Sequence, residues 1–378
     1  MKKVLFLATY GDFLATFEYS NITLWQSLGV EVHCASNFNN KKYNLKTDKL
    51  RELGVQLHEL EFDRKPISSN NIRTYNKLKK IIRNEKIDII DCHNAVVGAY
   101  ARMAAKQCKV KKVIYTPHGF FFYNGCPNKN KVFKVAETEL SRLTDLLINI
   151  NKEDYIAAKK MPLRGKTIYV PGIGIDTKHI EEIKDQRIKY CKEFNIPINA
   201  KIYISVGELI PRKNHITAIK AFAQADISDS YYLIAGIGQL KDELQEEIDK
   251  LGMSDRIKLL GYRLDVKELV KSCDVFLFPS LQEGLPVALM EAMACGLPCI
   301  ASSIRGNVDL IDNNKGGFLF QPNQVSELTK RIEKTDKKLN FYKQSMGKYN
   351  QNKILQFDIK NVQKIMLKEY KKILCELQ

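Results

Sequence analysis

The sequence predicts an α/β chain made of two doubly wound parallel sheets. Three observations carry this expectation. Short apolar runs bounded by Gly, Pro, Asn or Ser recur along the chain and alternate with stretches of helical period. The segment 274–303, DVFLFPSLQEGLPVALMEAMACGLPCIASS, is a strand–loop–helix–strand unit with a glycine in its loop. Near the middle, Val170-Pro-Gly-Ile-Gly-Ile-Asp176 interrupts the rhythm once, as a join between domains does. A chain of 378 residues is long enough for two domains of ordinary size.

The first half reads as follows. Val4–Thr9 is a buried strand, Gly11-Asp12-Phe13 a turn, and Phe17–Leu28 a helix closed by Gly29. Val30–Ala35, Val55–Leu60, Ile87–Cys92, Val113–Thr116 and Leu146–Ile150 are further strands, with helices at 71–85 and 95–107. In such sheets ligands bind at the carboxyl ends of strands, and three polar clusters fall there: Tyr10-Gly11-Asp12, His93-Asn94 and Pro117-His118-Gly119. A lone histidine such as His118 is more often structural than functional, so its position alone leaves both readings open. On the 71–85 helix Ile72, Tyr75, Leu78, Ile81 and Ile82 form an apolar stripe, and Arg73, Lys77, Lys79, Lys80, Arg83 and Lys86 fill the rest. That basic face is either simply solvated or docks on anionic lipid. The segment Lys129-Asn-Lys131-Val-Phe-Lys134 mixes bases with an aromatic and reads either as a loop or as a headgroup contact.

In the second half Ala200–Val206 is a strand, followed by Gly207, by Arg212 and Lys213, and by a helix from His215 to Ala225. A glycine after a strand, with two cations before a helix, is an arrangement that receives phosphate. Tyr231–Ala235 leads into Gly236-Ile-Gly238, which is no dinucleotide fingerprint because Lys241 stands where the third glycine belongs. Ile257–Leu260 precedes the turn Gly261-Tyr262-Arg263. Asp274–Phe278 is the next strand, Gln282-Glu283-Gly284-Leu285 a loop, Pro286–Cys295 a helix, Cys299–Ser302 a strand, and Gly316–Phe320 a late one. The free N–H groups at the start of the Pro286 helix favour an anion. Glu283 beside them is either an ordinary first-turn acid or part of a site. Glu291, inside an apolar helix, must be solvated, paired or bound to hydroxyls. From about 339 the chain is helical and lysine-rich, with Ile359, Val362, Ile365, Met366 and Tyr370 as an apolar stripe.

Charge and cysteine content narrow the functions. Residues 1–170 carry 29 Lys and Arg against 16 Asp and Glu, whereas residues 171–378 carry 31 against 27, so most of the net +17 belongs to the first half. A basic half suits an acidic partner: nucleic acid, anionic lipid or a phosphorylated substrate. Nine cysteines without paired spacing, and no His-rich partner segment, argue against a zinc site and suit a reducing compartment. Met1–Phe13 has too short an apolar run for a signal peptide, and no segment approaches a membrane span. The expected location is cytoplasmic, at the inner face of the plasma membrane if the basic face docks.

Glu283-x7-Glu291 within PSLQEGLPVALMEAMACGLPCIAS resembles the signature of glycosyltransferase family 4, retaining enzymes of the GT-B fold. YTPHGFFFYNG and TDLLININKEDYIAAKK resemble the N-terminal half of a branch that makes capsular and exopolysaccharides. The resemblance implies two Rossmann-like domains facing across a cleft. It places an acceptor-side domain at 1–170, a linker region at 171–199, a nucleotide-sugar domain at 200–355, and a last helix, 356–378, crossing back to the first domain. It implies catalytic roles for His118 and Glu283. Donor binding falls to Gly11, Gly207, Arg212, Lys213, Arg263, Gly284, Leu285, Pro286, Val287 and Glu291. In these roles Glu283 meets the donor sugar, Glu291 the ribose hydroxyls, Lys213 the diphosphate, and the backbone near Arg263 the nucleobase. Two positions depart from the family pattern: Tyr10-Gly11 stands for a Gly-Gly pair, and Glu208 for a common arginine whose charge Arg212 is placed to supply. With no Asp-x-Asp in the chain, no metal is expected at the diphosphate and no cofactor is needed. The implied reaction is retaining transfer from a UDP-sugar to a glycan or undecaprenyl-type lipid-linked acceptor. A GT-B sugar-nucleotide epimerase is the alternative. A nucleic-acid binder is motivated by charge alone, and no binding motif for it occurs.

Overall fold

The computed structural model describes residues 1–39 and 47–377, and it divides into two compact units: Met1–Gly174 with Lys360–Gln378, and Ile175–Ile359. Gln378, the end of the expected last helix, lies outside the described residues.

The first unit is built on a seven-stranded parallel sheet. Its strands are β1 (Lys3–Tyr10), β2 (Glu31–Asn37), β3 (Gln56–Glu59), β4 (Ile89–His93), β5 (Lys112–Thr116), β6 (Leu146–Asn149) and β7 (Lys166–Tyr169), in the order β3-β2-β1-β4-β5-β6-β7. Along β1, Val4, Phe6 and Ala8 enter one core and Leu5 and Leu7 the other, so helices cover both faces and the strand is apolar throughout. β7 escapes the apolar-run test because its sequence, Lys-Thr-Ile-Tyr, is that of a half-exposed edge strand.

Three local expectations are corrected here. Gly11–Phe13 is not a turn but the start of a helix that passes through a π-helical stretch, Leu14–Glu18, into Tyr19–Ser27. The wide π turn rotates Glu18 inward, and it ends 2 % exposed. The segment 129–134 is no loop, since Asn128–Asn130 forms one 3-10 turn and Lys131–Ser141 a helix. On the helix Ser69–Asn84 the stripe is narrower than the sequence suggests: Leu78 and Ile82 are buried, but Ile72 faces solvent at 59 % exposure.

One buried charge pair ties this unit together. Arg102 donates to Glu137 Oε2 (2.8 Å) and to Gly98 O (2.9 Å), the Tyr115 hydroxyl donates to Glu137 Oε1 (2.8 Å), and the guanidinium stacks 3.9 Å from the Tyr115 ring centre. Gly98 is required there, because a Cβ would lie 2.4 Å from the Tyr115 ring. The helix Ile359–Cys375 adds Val362, Met366, Tyr370 and Ile373 to the same unit's core, with Tyr370 stacked 4.1 Å from Trp25.

The second unit holds a six-stranded parallel sheet of β8 (Lys201–Val206), β9 (Ser230–Ala235), β10 (Ile257–Gly261), β11 (Val275–Phe278), β12 (Cys299–Ser302) and β13 (Gly317–Phe320), in the order β10-β9-β8-β11-β12-β13. The charged segment read as linker carries the helices Thr177–Glu182 and Arg187–Glu193, and from Ile175 onward it belongs to this unit. Arg187 explains why: it donates to Ala200 O, to Ser272 O (3.2 Å) and to Asp274 Oδ2 (3.1 Å) and so ties the segment to this unit. No described helix is long and apolar enough to cross a membrane.

Removing one member of the buried pair strands the other charge. Glu137→Ala is expected to cost about 3–5 kcal/mol of unfolding free energy in urea titration of the full chain, whereas an exposed control such as Glu139→Ala stays within about 0.5 kcal/mol.

Candidate functional site

Each sheet reverses its strand order once, between β1 and β4 in the first unit and between β8 and β11 in the second. At such a point the loops leaving the two strands run apart, and the carboxyl ends open onto a crevice. Most of the residues singled out from sequence collect at one of these two points.

In the second unit the cluster centres on Glu283. Its Oε1 lies 2.7 Å from Lys213 Nζ and 3.0 Å from Arg212 Nη1, with only about a tenth of the Glu283 side chain exposed. Burial alone would push this carboxyl up, but the Lys213 ammonium, then the Arg212 guanidinium, outweigh it and hold Glu283 below the ordinary carboxylate range. Arg212 also donates to Gln282 O (2.8 Å) and accepts from Leu281 N–H through its own carbonyl (2.8 Å), which docks the loop after β8 onto the loop after β11. Lys213 packs 5.1 Å from the Phe278 ring centre and beside Gly207, where a Cβ would sit 3.3 Å from the lysine stem. Gly207, Arg212, Lys213, Glu283 and Gly284 are thus brought together.

Pro286 is the N-cap of the helix Val287–Ala294 rather than its first residue, and no side chain caps it. Gly284, Leu285 and Val287 therefore frame open helix-start N–H groups beside two cations. Behind them Arg305, a residue sequence reasoning missed, donates from Nε to Glu283 O (3.1 Å). Next to it Gly306 has φ +81, and a Cβ there would lie 2.4 Å from Gly284 O, so only glycine permits this close approach. Gly236 explains the failed dinucleotide fingerprint: its absent side chain makes room for Gly207 O, 1.9 Å from where a Cβ would be.

Two expected donor residues sit differently. Glu291 is on the Val287–Ala294 helix with its carboxylate 3.2 Å from Lys267 Nζ, so it is paired rather than merely wet. Arg263 does not offer its guanidinium to a ligand. Asp265 takes it in two hydrogen bonds of 2.8 Å, Glu193 takes another of 2.5 Å, and Tyr190 and Phe194 flank it. These hydrogen bonds, Asp265 first, raise its pKa further. The backbone of that turn and the exposed Tyr262 side chain remain for recognition.

In the first unit Gly11 is buried where β1 turns into helix, and His118 follows β5. His118 holds φ +56 and Asn94, after β4, φ +66, conformations that non-glycine residues adopt at a cost of about 1–3 kcal/mol and that concentrate at functional sites. Asn94 Oδ1 accepts from Thr9 N–H and its hydroxyl, both at 3.3 Å, which joins the ends of β1 and β4. Buried His93 and partly buried His118 share a hydrogen bond of 3.1 Å between Nδ1 and Nε2, and Glu18 Oε1 stands 3.5 Å from each of those atoms. Burial pushes His118 down to about 3, drives His93 well down with help from its neighbour, and raises Glu18, so both rings are neutral at ordinary pH. Glu18 and His93 had no sequence signal as a pair. The alternating order of helix and strand does not reveal a π turn.

The sequence model described as Glycosyl transferases group 1 matches residues 186–353, and that described as Glycosyl transferase 4-like matches residues 3–151. EpsD of Bacillus subtilis (strain 168) is 32 % identical over 339 residues, covering 88 % of this chain and 87 % of that one. The UDP-Gal:alpha-D-GlcNAc-diphosphoundecaprenol alpha-1,3-galactosyltransferase of Escherichia coli is 33 % identical over 299 residues, 76 % of each chain. Among solved structures, Anabaena HepE in complex with UDP and glucose superposes with a TM-score of 0.80 at 19 % identity, over 98 % of this chain and 100 % of that one. The two parallel-sheet units together have the GT-B fold.

A histidine held neutral in the fold contributes stability that is complete above its unfolded pKa of about 6.5 and falls as pH drops toward the folded value. The ring nitrogens of His118 are therefore expected to show no titration between about pH 5 and 8 by nitrogen-detected NMR. A mid-range titration of His118 refutes the neutral assignment.

Proposed function

The chain belongs to the group 1 glycosyl transferases, and from that premise we propose that it moves a sugar from a UDP-sugar, with retention of configuration, to a hydroxyl of a lipid-linked glycan in cell-surface polysaccharide assembly. The observation that carries this reading is the Lys213–Glu283–Arg212 cluster at the open start of the Val287–Ala294 helix. Two cations and unsatisfied N–H groups are a receiver for a nucleoside diphosphate. They supply the charge that stabilises the departing nucleotide, so no metal is needed at the diphosphate. Support for UDP and for an undecaprenyl-type acceptor comes from the Escherichia coli relative, whose name carries both.

In this reading Lys213 and Arg212 meet the diphosphate and Glu291 the ribose hydroxyls. Glu283, kept ionised by its two partners, accepts hydrogen bonds from the donor sugar and orients it. No carboxylate is then left as a covalent nucleophile. The acceptor hydroxyl attacks on the face that the nucleotide leaves, and its proton passes to the departing phosphate oxygen. His118, neutral by burial, is suited to hydrogen-bonding a sugar hydroxyl rather than to relaying charge. An epimerase would use the same diphosphate receiver but release no nucleotide to an acceptor.

Membrane contact is the finer part of the proposal. Arg73, Lys77, Lys80 and Arg83 are exposed on one helix around outward-facing Ile72, and Val132 and Val135 are about two-thirds exposed on another beside Lys131 and Lys134. Bases near an anionic surface contribute about 1 kcal/mol each.

Two measurements test this. Calorimetry with UDP in the presence of EDTA should show binding that Lys213→Ala weakens about tenfold or more, as loss of a charge-assisted hydrogen bond does. Glu283→Gln should keep UDP affinity but lose transfer, and NMR of the product should show the donor's anomeric configuration. No UDP binding, or an inverted product, refutes the reading. Separately, sedimentation with vesicles containing anionic lipid should retain the protein and neutral vesicles should not, with charge reversal of Lys77, Lys80 and Arg83 releasing it. Equal binding to both vesicles removes the membrane contact.

A further inference from the structure

Glu18, His93 and His118 present three atoms to one point in the first unit. The distances are 3.1 Å between His93 Nδ1 and His118 Nε2, and 3.5 Å from Glu18 Oε1 to each ring nitrogen. Three ligands on a tetrahedron around zinc, each about 2.0–2.1 Å from the ion, stand about 3.3–3.4 Å apart. The protein edges therefore match a coordination face without movement of the backbone. They border a cavity of about 20 Å³ that Asp91, Thr116 and Tyr370 also line, the space of one ion or one water.

The His93–His118 hydrogen bond leaves other buried polar atoms of the cluster unsatisfied. His93 turns Nδ1 to the cluster and Nε2 toward Asp91 Oδ1 at 3.5 Å, and neither Nε2 nor Oδ1 has a hydrogen-bond partner among the described residues. A carboxylate in that position is where the outer partner of a metal-bound histidine stands. The other Asp91 oxygen accepts from the Tyr370 hydroxyl (3.3 Å), and Glu18 Oε2 accepts from Asn21 Nδ2 (2.7 Å), so both carboxylates are oriented. Two buried carboxyl groups, Glu18 and Asp91, face the two rings in a cavity whose lining, among the described residues, holds no Lys or Arg. The strain at His118 and the π turn that delivers Glu18 also converge here. We propose that Glu18 Oε1, His93 Nδ1 and His118 Nε2 bind one divalent transition-metal ion, with Zn²⁺ as the natural occupant of a two-nitrogen, one-oxygen set. On binding, the proton that lies between His93 Nδ1 and His118 Nε2 leaves that edge by a change of tautomer, so that His118 carries its proton on Nδ1 and His93 on Nε2 toward Asp91, and any proton on Glu18 passes to solvent. The ion then anchors the loop that carries His118. The diphosphate receiver of the second unit takes no part in this.

The test titrates Co²⁺ into chelator-treated full-length protein and follows the visible absorption of four- or five-coordinate cobalt, with Zn²⁺ as competitor. One equivalent is expected, displaced by Zn²⁺. His93→Gln and Glu18→Gln should each abolish the band, and Asp91→Asn should weaken binding about 10–100-fold, as loss of an outer carboxylate does. Should these variants fail to fold, X-ray absorption of the zinc-loaded wild type decides. Two imidazoles with an oxygen support the site, and sulfur at about 2.3 Å, which would place the ion on cysteines, overturns it. Absence of binding at equimolar metal, or binding that survives His93→Gln, also overturns it. UDP affinity of Glu18→Gln is read in parallel and should not change, so failure of the metal site and failure of the transferase reading remain separate results.

Discussion

The strand-order reversal in each sheet is the constraint on which the rest depends. A parallel sheet buried on both faces has free polar backbone only at its ends and along its two edge strands. Where the order reverses, the loops leaving adjacent strands part, and the carboxyl ends stay open. The first unit uses that gap for Glu18, His93 and His118 and the second for Lys213, Arg212 and Glu283. The strands are rigid and the loops short, so each set of side chains is positioned by the core beneath it.

What these openings hold differs because of what surrounds each carboxylate. Glu283 is buried yet held ionised, since two cations lie within hydrogen-bonding distance and outweigh the loss of water. Glu18 and Asp91 are buried without a cation, and burial raises both, Asp91 to about 7. The same side-chain chemistry thus gives an ionised carboxylate in one unit and a charge-poor pocket in the other. Arg263 shows the converse: a base well placed by sequence is neutralised by Asp265 and Glu193 and has nothing left to offer an anion.

Small residues decide how closely the loops approach. Gly306, after β12, lies against Gly284 O in the Glu283 loop, and Gly236, after β9, lies against Gly207 O in the loop of the cations, so each of these loops packs backbone to backbone on a neighbour. The Gly236-Ile-Gly238 sequence looks like a fragment of a dinucleotide fingerprint but serves this packing. Glycine spacing therefore reported a close approach without saying which partner approaches.

The sequence by itself determined the alternation of buried strands and amphipathic helices, the break near 170–176, and the loop and helix that hold Glu283 and Glu291. All of these follow from periodicity and turn chemistry, which are local. Its resemblance to family 4 supplied the roles. Tertiary structure alone decided the π turn that aims Glu18 inward, the pairing of Glu18 with His93 and His118 across distant segments, the support of Glu283 by Arg305, and the capture of Arg263 by its acidic neighbours. Those outcomes depend on which side chains meet after the strands are ordered. No local pattern encodes them, because burial and charge compensation are properties of the assembled sheet rather than of any segment.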